Sequence, residues 1–107
     1  MNIRKNLDKF IDYLNNTMKK PDNYWYNYTT RGSKYYKVVM NYINHESVYC
    51  FVDKQNGDIY KSAGWRAPAK GIRGSVLITD SYSNADWSGG WLYKIFGNIY
   101  EGVNNVK

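Results

Sequence analysis

The stretch Lys34–Lys61, KYYKVVMNYINHESVYCFVDKQNGDIYK, decides the fold of this chain of 107 residues. Aromatic and β-branched residues favour strands, and here they form three runs, at 34–43, 48–52 and 58–61. Two polar turns separate these runs, Asn44–Ser47 and Asp53–Gly57. The Asn-Gly pair of the second turn supplies the positive φ that a tight hairpin requires. Short strands joined by tight turns predict an antiparallel meander.

The segment before this stretch predicts one helix and one further strand. Within residues 2–20, apolar side chains recur every three or four positions, at Ile3, Leu7, Phe10, Ile11, Leu14 and Met18. Pro21 ends the helix, and the aromatic run 24–29 starts the sheet. We therefore predict an α+β fold, in which an N-terminal amphipathic helix packs on a small antiparallel β-meander of about four to five strands within residues 24–62.

The rest of the chain has a looser pattern. Residues 63–75 form a basic aromatic loop, and residues 76–107 predict short strands, turns and a tail in a region rich in Gly and Trp. Short strands are expected at Val76–Ile78 and from Trp91 to Phe96, with one helical turn within Ser81–Trp87. The length fits one domain, residues 1–107.

Composition and charge favour recognition of an anion. The chain has 12 Tyr, 4 Trp and 3 Phe, which is more aromatic surface than a small core requires, so some rings are expected on the surface. The formal net charge is +6, and a basic protein attracts polyanions through its long-range field.

The basic aromatic loop is the strongest candidate site. Between Asp58 and Gly74 the chain carries four cations and two large rings but a single acid. Such loops suit phosphate backbones and stacked bases. The residues expected to bind nucleic acid or another anionic ligand are Tyr60, Lys61, Trp65, Arg66, Lys70 and Arg73. For Trp65 two interpretations remain open, an exposed stacking ring or a ring packed as part of the core or a lid.

A second aromatic set lies within Asp86–Tyr93, where tryptophans flank Gly89 and Gly90. Trp87, Trp91 and Tyr93 are candidates for lining a pocket. The alternative is that they pack against the sheet.

No residues form a recognisable catalytic or metal-binding motif, so we expect neither an enzyme nor a cofactor. The chain has one His, His45, and one Cys, Cys50, which is too few for the usual triads and zinc spacings. Cys50 lies in an apolar run and is expected to be buried. No apolar run is long enough to span a bilayer, so we expect no membrane partner.

Four segments carry a family resemblance. They are Val48–Lys54, Gly57–Lys61, Trp65–Gly74 (WRAPAKGIRG) and Asp86–Tyr93 (DWSGGWLY), which together give a GDxYKxAxWxxPAKxxRG motif and a DWxGGxLY ending. This pattern resembles a family of small uncharacterised proteins of bacteriophages and other large DNA viruses. The resemblance implies a viral protein that acts in the host cytoplasm, and it implies no catalytic residue.

Two main functions are therefore expected. The first is binding of nucleic acid, single-stranded by preference, through the basic aromatic loop. The second is an anti-defence inhibitor that binds a host protein or a nucleotide signal, for which a homo-oligomer would be compatible. A minor virion component is a third interpretation.

Overall fold

The computed structural model describes residues 2–94, and it confirms the predicted α+β fold with a single N-terminal helix on an antiparallel sheet of five strands. Its elements are α1 (Ile3–Asn16), β1 (Tyr24–Thr29), β2 (Tyr35–Tyr42), β3 (His45–Asp53), β4 (Asp58–Lys61) and β5 (Gly74–Ser75), followed by two 3₁₀ turns (Thr79–Tyr82 and Gly90–Tyr93). The strands follow one another across the sheet in chain order, as expected of a meander.

Helix α1 is shorter than the pattern predicted. It begins at Ile3 because the Asn2 side chain accepts a hydrogen bond from the Lys5 amide at 2.9 Å. It ends at Asn16 rather than at residue 20. The backbone amides of Thr17 and Met18 both donate to the Tyr13 carbonyl, and these two bonds close the last turn. Lys19 then pairs with Asp86 as a short parallel bridge, which takes this segment out of the helix.

The turn between β2 and β3 differs from the predicted Asn44–Ser47. Tyr42 lies opposite His45, so the turn consists of Ile43 and Asn44 only, and residues 45–47 belong to β3. Ile43 has a φ of 51°, which bulky β-branched residues rarely adopt. The turn after β3 agrees with the sequence, since Gly57 has a φ of 81°.

The predicted strand at Val76–Ile78 is wrong. β5 is the preceding pair Gly74–Ser75, and the chain then turns, with the Ile78 amide donating to the Ser75 carbonyl at 3.1 Å. Val76 is buried, so its apolar character reflects the core and not a strand. The helical turn expected within 81–87 lies at Thr79–Tyr82. The expected strand from Trp91 begins as a 3₁₀ turn, and residues 95–96 lie outside the described residues.

The two faces of the sheet have different surroundings. One face packs on α1 and forms the core, which includes Leu7, Phe10, Leu14, Tyr26, Val38, Cys50, Val52 and Ile59. We call the opposite side the open face. Strand alternation and the pairing register place on it Trp25, Asn27, Tyr35, Lys37, Val39, Asn41, Glu46, Phe51 and Tyr60.

Candidate functional site

A groove of about 680 Å³ crosses the open face. One wall is the loop between β1 and β2, residues 31–34, and the other is formed by Trp65 and Arg66. The floor consists of side chains from the central strands, among them Tyr35, Lys37, Val39 and Phe51.

Trp65 is held over the open face by its own loop. The Ala63 amide donates to the Ala67 carbonyl at 2.9 Å, and the Ala69 amide donates to the Lys61 carbonyl at 2.7 Å. These bonds close residues 63–67 into a compact turn that returns to the end of β4. The Lys37 ammonium lies 4.4 Å from the centre of the Trp65 ring, which is a cation–π contact. The ring is 49% exposed, so it lies above the sheet as a partial cover and is not part of the core.

Three further rings lie near one another on the open face. The Tyr35 ring is 5.9 Å from Phe51 and 5.9 Å from Tyr60, in edge-to-face geometry in both cases. Partial burial, followed by the nearby Asp58 carboxylate, raises the pKa of Tyr60. Its hydroxyl therefore remains neutral and can donate a hydrogen bond at physiological pH.

The charge along the groove is mainly positive. Glu46 is the acid that lines it, whereas its cations are Arg31, Lys34, Lys37 and Arg66. A further open-face acid, Asp53, is buried and is used by the next turn, where it accepts from the Gln55 amide at 2.7 Å. The groove therefore offers an anion more attraction than repulsion.

Lys54 fixes the wall formed by the β1–β2 loop. Its ammonium donates to the Thr30 carbonyl at 2.8 Å and also to the Gly32 carbonyl. Its backbone amide donates to the Lys34 carbonyl at 2.9 Å. The loop that carries Arg31 and Lys34 is thus tied to the end of β3, which makes the groove a preformed surface.

The residues predicted from the basic aromatic loop do not form one cluster. Tyr60 lies on the open face, and Trp65 and Arg66 line the groove. Lys61 points to the opposite face, where its ammonium lies 4.7 Å from the centre of the Tyr93 ring.

The other two predicted cations have different surroundings. Lys70 is exposed and lies outside the lining of the groove. The Arg73 guanidinium is used internally, since it donates to the carbonyls of Lys70 at 2.8 Å, Gly71 at 3.0 Å and Leu92. Arg73 therefore joins two loops, which leaves few of its donors for a phosphate.

The second aromatic set lies on the helix side of the sheet. The Trp91 ring packs against the core, and its Nε1 donates to the Tyr49 hydroxyl at 2.8 Å. Trp87 and Tyr93 line a small groove of about 180 Å³. The rings of Tyr60 and Trp65 are thus on the other face of the sheet from this set. Lys61, in contrast, lines the small groove with Trp87 and Tyr93, and Arg73 lines a neighbouring recess with Trp91.

Several residues of the groove were not identified from the sequence. They are Arg31, Lys34, Tyr35, Lys37 and Glu46, together with Trp25 in a recess that adjoins the groove. One signal was available in β2, where Lys37 interrupts an apolar strand between the buried Tyr36 and Val38. A charged residue between two buried positions of a strand indicates a face that is left to solvent or to a ligand.

Within residues 2–94, no group of three or more His, Cys, Asp and Glu side chains could hold a metal ion. Over the same range, no helix is long and apolar enough to cross a membrane.

The fold and the groove define a small α+β domain whose open sheet face presents rings and cations. The chain belongs to the family of unknown function DUF7717, which it matches over residues 1–94. This range includes α1, the whole sheet and both aromatic sets. No curated protein and no solved structure matches the chain.

Proposed function

We propose that this protein binds single-stranded nucleic acid along the groove of its open face. The observation that carries the proposal is the Trp65 ring, which lies half exposed above Lys37 and across the groove from the preformed wall that carries Arg31 and Lys34. A flat ring beside cations matches a ligand that alternates flat bases with phosphates.

The shape of the groove favours a single strand over a duplex. A base can stack on Trp65 or Tyr35 only when it is free of its partner strand, since the stacking surface of paired bases is already occupied. Arg31, Lys34 and Arg66 line the rims, where a sugar–phosphate backbone would pass. The described helix α1 packs on the other side of the sheet and is not placed to enter the major groove of a duplex.

The cellular location of this binding is proposed on separate grounds. The resemblance of Trp65–Gly74 and Asp86–Tyr93 to bacteriophage and large-DNA-virus proteins supports a role in an infected cell. We propose that the protein acts in the host cytoplasm, where single-stranded nucleic acid of viral or host origin is the ligand.

Fluorescence polarisation with labelled single-stranded and double-stranded oligonucleotides tests the binding. Four groove cations that each neutralise one phosphate give an expected slope of log affinity against log salt of about −3 for a single strand. Trp65→Ala is expected to weaken binding by about 2 kcal/mol, a roughly 30-fold rise in Kd.

Trp87→Ala is the matched control, because Trp87 is also about half exposed but lies on the helix side of the sheet. Equal losses in the two variants would remove the groove from the binding site. Absence of binding to any oligonucleotide at low salt would overturn the proposed function.

A second candidate function is favoured by an apolar patch at the end of the groove. Trp25 is 53% exposed and Ile43 is 76% exposed, and both line a recess that also includes Trp65. Exposed Trp and aliphatic side chains form hot spots in protein interfaces. A host protein inhibited through this patch would bind with little dependence on salt, which separates it from a nucleic acid in the same titration.

A further inference from the structure

We infer that the groove prefers a guanine base, which the Glu46 carboxylate recognises beside Trp65. This inference rests on the proposed function and names the base that the site selects. Among residues 2–94, Glu46 is the one acid that lines the groove, and it also lines the adjoining recess with Trp25 and Trp65.

The position of Glu46 is set by the register of the sheet. It lies opposite Asn41, so β3 places its carboxylate on the open face at the same level as the exposed Trp25. Among the described residues, no hydrogen bond engages this carboxylate, and its oxygens are free to accept from a ligand. A carboxylate in a groove for phosphates weakens the attraction for the backbone, so a favourable contribution of Glu46 to binding requires contact with a base.

The side-chain amides of Asn27 and Asn41 supply a hydrogen-bond donor to the open face. The Asn41 side chain donates to the Asn27 Oδ1 at 3.1 Å and to the Trp25 carbonyl at 3.3 Å. This bond fixes the orientation of the Asn27 amide, whose oxygen is used by Asn41 and whose NH₂ group is therefore available to the groove. The open face thus holds an acceptor pair on β3 and a donor on β1.

Guanine is the base whose hydrogen-bond donors and acceptor match the Glu46 carboxylate and the Asn27 amide. Its Watson–Crick edge carries two adjacent donors, N1–H and the N2 amino group, beside the O6 acceptor. A carboxylate has two acceptor oxygens and can bind both donors at once, while an amide NH₂ can reach O6. Adenine, cytosine and uracil do not present two adjacent donors, so each leaves one carboxylate oxygen without a partner and loses affinity.

The test uses short oligothymidines in which the central base is replaced by guanine, adenine, cytosine or hypoxanthine. A bidentate base contact predicts that the guanine strand binds about tenfold more tightly than the all-thymine strand. Hypoxanthine lacks the N2 amino group, so it is expected to lose most of this preference. Glu46→Gln is expected to abolish the preference for guanine and to strengthen binding of the all-thymine strand, because a negative charge is removed from the groove.

Asp22→Asn provides the matched control, since Asp22 is an exposed acid that lies outside the groove. This variant is expected to keep the guanine preference. Salt-dependent binding that is equal for all four central bases would overturn the inference and leave the proposed function intact. A guanine preference that persists in a folded Glu46→Gln variant would also overturn it, whereas absence of binding to every strand would reject the proposed function itself.

Discussion

Two neighbouring buried tyrosines are expected to respond to the same substitution with opposite signs. Tyr26 and Tyr49 pack edge to face with ring centres 5.1 Å apart, and both are almost fully buried. The Tyr49 hydroxyl donates to the Asp86 carbonyl at 2.6 Å and accepts from Trp91 Nε1 at 2.8 Å. Among the described residues, the Tyr26 hydroxyl is buried without a hydrogen-bond partner.

The magnitudes follow from these contacts. A buried hydroxyl without a partner costs about 1–3 kcal/mol. The small cavity left when this oxygen is removed costs less than about 1 kcal/mol, so Tyr26→Phe is expected to stabilise the fold by about 1 kcal/mol. Tyr49→Phe removes two hydrogen bonds of about 1 kcal/mol each and is expected to destabilise it by about 2 kcal/mol. For a domain of this size, 1 kcal/mol corresponds to a change in Tm of about 4–8 °C.

Urea denaturation followed by tryptophan fluorescence measures both changes, with circular dichroism melts as a second measurement. The two variants are expected to have the same m-value as the parent, because the surface exposed on unfolding hardly changes. Equal destabilisation by Tyr26→Phe and Tyr49→Phe would refute the reasoning, since it would mean that both hydroxyls have partners in the folded protein.

Three further predictions concern single positions. Arg66→Glu is expected to weaken oligonucleotide binding about tenfold or more, whereas the same change at Lys70, which lies outside the groove, should have a much smaller effect in the same polarisation assay. Cys50→Ser places a hydroxyl at a fully buried position and is expected to destabilise the fold by about 1–3 kcal/mol in urea denaturation; an unchanged midpoint would exclude Cys50 from the core. Ile43→Gly relieves a φ of 51° at the first residue of a two-residue hairpin and loses little buried surface, so it is expected to raise stability by about 1 kcal/mol, and a lower Tm would contradict this.

The sequence predicted the sheet well because local chemistry determines it. Residues 24–29 are rich in aromatic residues, which favour strands, and the structure places β1 at these residues. The Asn-Gly pair predicted the turn at Gly57 because few residues adopt a positive φ there. These features depend on neighbours along the chain, so they can be derived without knowledge of the tertiary structure.

The errors arose where pairing or burial overrides local preference. Glu46 and Ser47 are polar and suggested a turn, but pairing with β2 extends the strand through them. Val76–Ile78 is apolar and suggested a strand, but Val76 fills a position against Gly57 in the core. In both cases the deciding partner is distant in the sequence or lies on another element, where composition gives no information.

The groove was predicted only in part for a related reason. Alternation divides a strand into two faces, but it does not tell which face the helix covers. Tyr60, Trp65 and Arg66 were identified because they lie in one basic aromatic segment. The wall that faces them comes from the β1–β2 loop, and only the meander topology brings Arg31 and Lys34 to the same groove.

Substitution of Lys37 tests whether its charge serves the fold or the proposed binding site. It lies in β2 between the buried Tyr36 and Val38, and its ammonium contacts the Trp65 ring on the other face. Lys37→Met keeps the length of the side chain and removes only the charge, so the free energy of unfolding is expected to change by less than about 1 kcal/mol. Oligonucleotide affinity is expected to fall about tenfold, and the salt slope is expected to become about 0.7 less steep, as one phosphate contact is lost.

Lys9→Met, at an exposed residue of α1, is the matched control. It is expected to change the oligonucleotide affinity and the salt slope less than Lys37→Met does. If Lys37→Met destabilised the protein by several kcal/mol, the ammonium would be a part of the fold, and the proposed division of the sheet into a structural face and a binding face would be wrong. If stability and binding were both unchanged, the groove would remain a feature of the surface but the cation–π pair at its centre would have no part in recognition. A loss of binding in a Lys37→Met variant of unchanged stability, together with retained binding in the Lys9 variant, is the result expected of a ligand site on the open face.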